Sequence, residues 1–434
     1  MASLPTRVPM PANGVDYRNK IVLAPMVRSG ELPSRLLALK YGADLVWGPE
    51  TIDKALIGTT RSVNPRTQTV DFTRVSSNGL KNPALSPDQR ESLIYRLHPG
   101  REGKKLIYQI GTANPVTAVA AAKLIAGDVA GIDVNAGCPK PFSTSGGMGA
   151  ALLKTPDTLC SILRALVAEV GEPFKIGISV KIRLLETPEQ TETLVRSLCA
   201  TGITGLTIHC RTTPMRPRQR AIREQLRMIG EVCKEHGVAC LMNGDVTSKT
   251  DGLASAEEYG VDGAMIATAA EENPSCFREE GVLSWQEVVK EYVKTALEVE
   301  NRFGNTKYLL GQMVPGKAPE YKRMMASKSF TELVQSLGYQ AEQHFVDMAK
   351  IVDEALELGT FAKPVLSKAE KKRLNKAAAV LDVDNARTKQ VADKAEVPNV
   401  RKRTAEVAEL DMPHDALREM GPGSVNGQAS VLAV

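Results

Sequence analysis

The stretch GIDVNAGCPKPFSTSGGMGAALLKTPDTL, residues 131–159, decides the fold. Its first seven residues form a short β-rich run. A loop dense in glycine, serine and threonine follows, with one cysteine, Cys138, held between Gly137 and Pro139. Thr155 then reads as a helix N-cap with Pro156 at the first helical position, and the helical pattern continues to Val170. The order strand, loop, helix is one β-α unit.

The same unit recurs on both sides. Further β-rich runs are KIVLAPM (20–26), DLVWGPE (44–50), KLIYQIG (105–111), IGISVKI (176–182), GLTIHC (205–210), ACLMNGD (239–245) and GAMIATA (263–269). Near-continuous apolar runs of this length suit strands covered on both faces. Helical patterns lie between most of them, such as Pro188–Ala200 and Ile222–Glu235, and Asn114 before Pro115 repeats the cap-and-proline start. Eight such units in roughly 260 residues predict an α/β fold of the TIM (β/α)8 barrel type. A doubly wound open sheet is the alternative. Residues 51–101 are an insertion in either fold. From 284 to 360 the pattern is helical without strands, which predicts a smaller all-α helical domain. Past Phe361 there is no aromatic residue, and a disordered basic tail is expected. The expected domains are a catalytic barrel over 15–280, a helical domain over 281–361 and the tail over 362–434.

The composition is that of an ordinary globular protein, 43% hydrophobic and 24% charged over 434 residues. No apolar run reaches membrane-span length, so no membrane partner is expected. The first twenty residues lack the apolar centre of a signal peptide. A cytoplasmic location is expected, with a nuclear pool left open by the basic clusters KAEKKR (368–373) and VRKR (400–403). Seven cysteines include no CxxC pair, which argues against zinc, disulfides or any other metal site, and most read as small core residues. The net charge is +5, unevenly spread. Residues 363–403 hold twelve Lys/Arg against five Asp/Glu, and residues 211–223 hold five Arg and no acid. Such local excess suits a polyanionic partner or simply a solvated face.

In a TIM barrel the active site lies at the C-terminal ends of the strands. Six of the eight runs end there in notable residues: Ala24-Pro25-Met26, Gln109, Asn135 with Cys138, Lys181, His209 with Arg211, and Asn243-Gly244-Asp245. Each alone has a plain explanation. Gln109 could cap a helix, Lys181 could pair with a carboxylate, His209 could be a core histidine, and Asn243-Gly244 could be a turn. Their convergence on one mouth argues for a site. Loops after the seventh and eighth strands are the usual phosphate site of this fold. A cofactor with one phosphate would fit, and FMN is the natural candidate. No GxGxxG follows a strand, which disfavours a Rossmann-bound dinucleotide. Cys138 could be a nucleophile, a metal ligand, a proton donor or a structural loop thiol. A thiol with an ordinary pKa of about 8.5 is mostly protonated at neutral pH and suits a general acid. Paired with a flavin hydride, it would reduce a polarised double bond.

The chain also resembles the tRNA-dihydrouridine synthases. The pieces that carry the resemblance are VLAPMVRSGELPSRLLALKYGADLVWGPE, YQIGT, IDVNAGCPKPFSTSGGMGAALLKTPDTL, VKIRL, TIHCRTT, LMNGDV and GAMIATAAEENPSCF, in the family's order over residues 20–277. NTKYLLGQM (305–313) is similar to part of the family's helical tRNA-binding domain, and the chain looks most like the eukaryotic type acting at position 20 of the D-loop. The resemblance implies FMN, reduced by NADPH, and conversion of uridine in tRNA to dihydrouridine. By position it implies Pro25 and Met26 at FMN, and Gln109, Lys181 and His209 on its ring and ribityl parts. Asn243, Gly244 and Asp245 would lie at its phosphate end, with Ala267 and Thr268 where many members have Gly-Arg. Asn135 and Arg211 would serve substrate binding, and Cys138 would protonate C5. Phe142 stands where many members carry lysine, and His209-Cys210-Arg211 replaces the usual His-Gly-Arg. A monomer is expected. The competing readings are a flavin barrel reducing a small molecule and a non-enzymatic RNA-binding barrel.

Overall fold

The computed structural model describes residues 8–76, 79–80 and 90–362. The tail expected from residue 362 onward therefore lies, apart from Ala362, outside the described residues. Eight parallel strands close into a barrel: β1 (Lys20–Leu23), β2 (Leu45–Trp47), β3 (Leu106–Gly111), β4 (Gly131–Ala136), β5 (Gly177–Leu184), β6 (Gly205–Thr212), β7 (Ala239–Asn243) and β8 (Gly263–Ile266). The hydrogen-bonded order is β2-β1-β8-β7-β6-β5-β4-β3, and β2 pairs with β3 to complete the ring. All eight runs read from the sequence are strands of this ring, so the doubly wound alternative does not apply.

The barrel is filled from its N-terminal end by Tyr17, which is 1% exposed. A methyl group at Gly205 would come within 2.7 Å of the Tyr17 ring, and one at Gly131 within 2.9 Å of its hydroxyl. These strands start on glycine because the plug leaves no room for a Cβ. At the opposite end the registers set Gln109 beside Asp133, Asp133 beside Ser179, Asn135 beside Lys181, and His209 beside both Arg183 and Asn243. Polar side chains from neighbouring strands are thereby stacked in levels at one mouth.

Three details differ from the sequence reading. Asn114 caps its helix, accepting from the Val116 and Thr117 N–H groups, but the Thr155 side chain makes no cap hydrogen bond. A 3-10 segment, Gly149–Lys154, runs directly into the helix Pro156–Leu166, and the Thr155 N–H closes that segment on Leu152 O. The helix then widens into a π-turn over Val167–Gly171. The helix read from Ile222 starts at Leu226, because the Ile222 N–H bonds Cys210 O (2.7 Å) and keeps that segment tied to β6.

Residues 51–101 include a three-stranded antiparallel sheet of Thr60–Val63, Val70–Val75 and Glu91–Leu97. Beyond the barrel, helices Trp285–Glu298, Phe303–Met313, Tyr321–Ala326, Phe330–Ser336 and Gln343–Ala355 share an apolar core that includes Tyr292, Leu310, Phe330 and Phe345. The first begins with a capping box between Ser284 and Glu287.

The junction between the insertion and β3 is tied to the barrel by a buried ion pair. Arg35, on the helix Leu32–Lys40, donates to Glu102 (2.6 Å), to Gly30 O (2.8 Å) and to Arg96 O (2.8 Å). Removing one partner strands the other charge without solvent. Glu102→Ala is therefore expected to destabilise the fold by about 3 kcal/mol, read by urea denaturation.

Candidate active site

β4 ends at Ala136, and the chain then turns sharply. The turn is built by Asn135, whose Oδ1 accepts from the Gly137 and Cys138 N–H groups at 3.0 Å each. Cys138 O accepts from Ala150 N–H (2.9 Å), which folds the glycine-rich loop back on the thiol. Arg183, two residues past Lys181 on the same face of β5, donates to Gly137 O (2.8 Å) and to Thr212 O (2.9 Å). Cys138 is thus held on a loop clamped from β4, β5 and β6. It is half-buried, whereas the other six cysteines are buried.

Cys138 borders a cleft of about 380 Å³ whose lining includes Pro25, Glu50, Gln109, Asn135, Lys181, Arg183 and His209. Burial, helped by the Glu50 charge, raises the thiol pKa, while the backbone at Lys140 and the cations Arg183 and Lys140 oppose the rise. The thiol form therefore dominates at neutral pH.

The floor of the cleft is electrostatically ordered. Asp133 has no exposed surface and accepts from Gln109 Nε2 (2.8 Å) and Ser179 Oγ (2.7 Å). Burial pushes its carboxyl up to about 6 in spite of those hydrogen bonds. With its amide NH2 committed to Asp133, Gln109 offers the cleft its carbonyl oxygen. Lys181 donates to Asn243 Oδ1 (2.9 Å), and Asn243 donates to Met265 O (2.9 Å), so the ammonium is anchored through β7 to β8. Burial, then the charge of Arg183, brings Lys181 down to about 8.

His209 is neutral. Burial and the charges of Lys181, Arg183 and Arg211 take its pKa down to about 2. Arg211 Nη1 lies 3.2 Å from His209 Nε2. A guanidinium can only donate, so Nε2 is the acceptor and the ring proton is on Nδ1.

The structure brings Pro25, Gln109, Asn135, Cys138, Lys181 and His209 together on one cleft. Asn243 stands behind Lys181. Met26, Gly244, Asp245, Ala267, Thr268 and Arg211 are not part of its lining. Arg211 is 4% exposed and is occupied by Asp245, Gln219 O and Pro217 O. Asp245 also accepts from Ala221 N–H (2.7 Å). Arg223 donates to Gly244 O and Asp245 O, so within the arginine-rich stretch only Arg216, Arg218 and Arg220 are exposed. Sequence reasoning passed over Glu50 and Arg183. Glu50 is the last residue of the second run, and Arg183 shares the face of Lys181 at the two-residue strand period.

Comparison with known proteins identifies the lineage. The Dihydrouridine synthase (Dus) family matches residues 22–354. The chain belongs to the dihydrouridine synthase family. It is 51% identical over 340 residues to a tRNA-dihydrouridine(20) synthase of Schizosaccharomyces pombe, covering 78% of this chain and 68% of that one. It is 46% identical over 328 residues to a tRNA-dihydrouridine(20) synthase of Saccharomyces cerevisiae, covering 74% and 83%. A tRNA-dihydrouridine(20a/20b) synthase of the same yeast is 27% identical over 321 residues, covering 72% and 77%. All three names specify NAD(P)+. In this member of the family, no described helix is long and apolar enough to cross a membrane, and no group of metal-ligating side chains occurs among the described residues.

The thiol loop has a sharp internal test. Gly149 has φ +57°, and a Cβ there would lie 2.4 Å from Ser143 Oγ and 2.6 Å from Cys138 O. Gly149→Ala is expected to cost at least about 1 kcal/mol from the left-handed backbone alone. It should also speed alkylation of Cys138 as the loop loosens, read by denaturation and by iodoacetamide labelling of the folded protein.

Proposed function

We propose that this dihydrouridine synthase reduces the 5,6 double bond of a uridine in the tRNA D-loop, at position 20, using FMN reduced by NADPH. The observation that carries the reading is the half-buried thiol of Cys138 at the rim of a cleft with a fixed donor and acceptor pattern on its floor. The names of the relatives at 51% and 46% identity support position 20, and the 20a/20b relative is more distant at 27%.

The cleft residues fit a flavin ring. An isoalloxazine edge carries an N–H donor flanked by carbonyl and ring-nitrogen acceptors. Gln109 offers a carbonyl, His209 a ring N–H, and Lys181 the N–H bonds it does not spend on Asn243. When bound, FMN supplies hydride to C6 of the uracil. The chain's own part is to hold a proton on Cys138 Sγ for C5 and to keep that loop rigid through Asn135 and Arg183. A base within a folded D-loop must leave its stack to reach the cleft. Exposed Arg216, Arg218 and Arg220 beyond β6 supply phosphate contacts, and the helical domain supplies a further tRNA surface.

Two outcomes test this. Under anaerobic conditions NADPH should bleach a flavin band in the purified protein, and unmodified tRNA should restore it. In Cys138→Ala the NADPH step should persist, while reoxidation by tRNA should slow by about 100-fold or more, the usual worth of a general acid. Turnover of a free pyrimidine at the rate seen with tRNA would favour the small-molecule reading instead. The second outcome concerns Lys181. Its charge is complete below its pKa of about 8 and is lost as pH rises through that value. FMN affinity should therefore fall above pH 8, and Lys181→Met should remove that fall, as followed by flavin fluorescence quenching.

A further inference from the structure

Glu50 follows β2 and reaches the same cleft as Cys138. Its Oε1 accepts from Ser143 Oγ at 3.1 Å, and Ser143 is fully buried in the turn after the cysteine. Its Oε2 is buried and has no hydrogen-bond partner among the described residues. Among the described residues no Lys or Arg forms an ion pair with this carboxylate, and the polar side chains that act on it are Ser143 and Asn135. One glycine makes room for it: a Cβ at Gly111, the last residue of β3, would lie 2.4 Å from Glu50 Oε1. The Ser143 hydroxyl that Glu50 holds is itself packed against the thiol loop, since a Cβ at Gly149 would strike both Ser143 Oγ and Cys138 O. The fold thus sets aside space for a carboxylate among the groups that shape that loop. A half-buried carboxylate with one shielded, unpartnered oxygen is expensive to keep for packing alone.

We infer that Glu50 is a positioning residue for the acid: it anchors the Cys138 loop through Ser143, and its negative charge disfavours the thiolate. The inference rests on the reading of Cys138 as proton donor. The charged groups facing Cys138 are Glu50 from the end of β2, Lys140 on its own loop, and Arg183 and Lys181 from β5. Three of these four are cations that favour the thiolate. Glu50 is the counterweight that keeps the proton on sulfur until a carbon acceptor takes it. Burial raises the carboxyl pKa of Glu50 itself, so the counterweight weakens as pH falls. Its effect belongs to neutral and alkaline solution, where a thiol acid would otherwise be lost.

The test is the pH dependence of Cys138 alkylation by iodoacetamide in the folded, flavin-loaded protein, with the modified peptide quantified by mass spectrometry. Glu50→Gln preserves size and an acceptor for Ser143 but removes the charge. Its alkylation midpoint should fall by roughly half a pH unit or more, giving about threefold faster labelling at a fixed pH below the midpoint. The alkaline limb of single-turnover reoxidation by tRNA should move the same way. Glu50→Asp keeps the charge and should restore a midpoint near that of the unmodified protein. A Glu50→Gln midpoint equal to or above the starting value overturns the inference, as does a Glu50→Asp midpoint as low as that of Glu50→Gln; either variant alone decides it. Failure of the underlying reading shows separately, because Cys138→Ala would then be reoxidised by tRNA at the normal rate whatever the alkylation midpoint.

Discussion

The barrel mouth is organised around a single buried carboxylate. Asp133 has no exposed surface and no ion pair among the described residues, so its cost is met by hydrogen bonds from the two neighbouring strands, Gln109 on β3 and Ser179 on β5. Those bonds fix the amide of Gln109 in one orientation and set the level from which the polar layers above it build. One level up, Asn135 and Lys181 are register partners on β4 and β5. The next brings His209 beside Arg183 and Asn243. Each level depends on the one below, because a one-residue slip of any strand would turn its polar set outward. Loss of the Asp133 anchor would therefore be felt first in the direction of Gln109 and only afterwards at the thiol.

The second constraint is the crowding of positive charge. Lys181, Arg183 and Arg211 lie near one another, and the site limits the repulsion in two ways. His209 stays neutral, and Arg211 is paired with Asp245 and held by two backbone carbonyls, while Lys181, brought down to about 8 chiefly by burial, keeps its charge at neutral pH. Asp245 itself feels burial, yet the Ala221 N–H and Arg211 outweigh it and lower its pKa. What remains facing the cleft is a moderate positive field and a set of directed donors. That arrangement favours an electron-rich ligand and disfavours a second cation such as a charged His209.

The strands were legible in the sequence because each is a short apolar run between glycine, proline and polar punctuation, a signal local to each segment. The plug was not. Tyr17 is distant in sequence from the glycines at 131 and 205, and only barrel closure brings the three together. The site was legible in part. Gln109, Asn135, Lys181, His209 and Cys138 stand out as polar residues at the ends of apolar runs. Glu50 has the same signature, but a single acid after Gly48-Pro49 reads equally well as a solvated loop residue, and only barrel closure turns it toward Cys138. Arg183 was hidden by Lys181, two residues before it. The basic stretch 211–223 was misleading for a different reason. Composition counts charges without saying which are spent, and Arg211 and Arg223 are spent on carbonyls and on Asp245 inside the fold.

The same logic explains why the insertion and the helical segment matter to a site made of barrel residues. Arg96, on the last insertion strand, pairs with Asp71 (2.6 Å) and donates to the carbonyls of Val299 and Glu300 (2.7 and 2.8 Å), while Arg66 pairs with the Glu300 carboxylate (2.7 Å). Two arginines of the insertion thus converge on the link between the first two helices of the bundle. Arg35 carries that constraint back to the barrel through Arg96 O and Gly30 O. Arg28 completes the loop from the other side. It follows β1 with φ +74°, borders the cleft, and stacks its guanidinium 4.4 Å from the ring of Tyr308 on the helix Phe303–Met313. A left-handed arginine costs backbone energy that the stacking contact offsets. The rim of the cleft is therefore shared: one side is barrel loop, the other is positioned by the helical bundle. A ligand large enough to touch both surfaces would register their relative placement, whereas a free base confined to the floor would not. This geometry ties the choice between a folded RNA and a small molecule to Arg28 and Tyr308 as much as to the groups on the cleft floor.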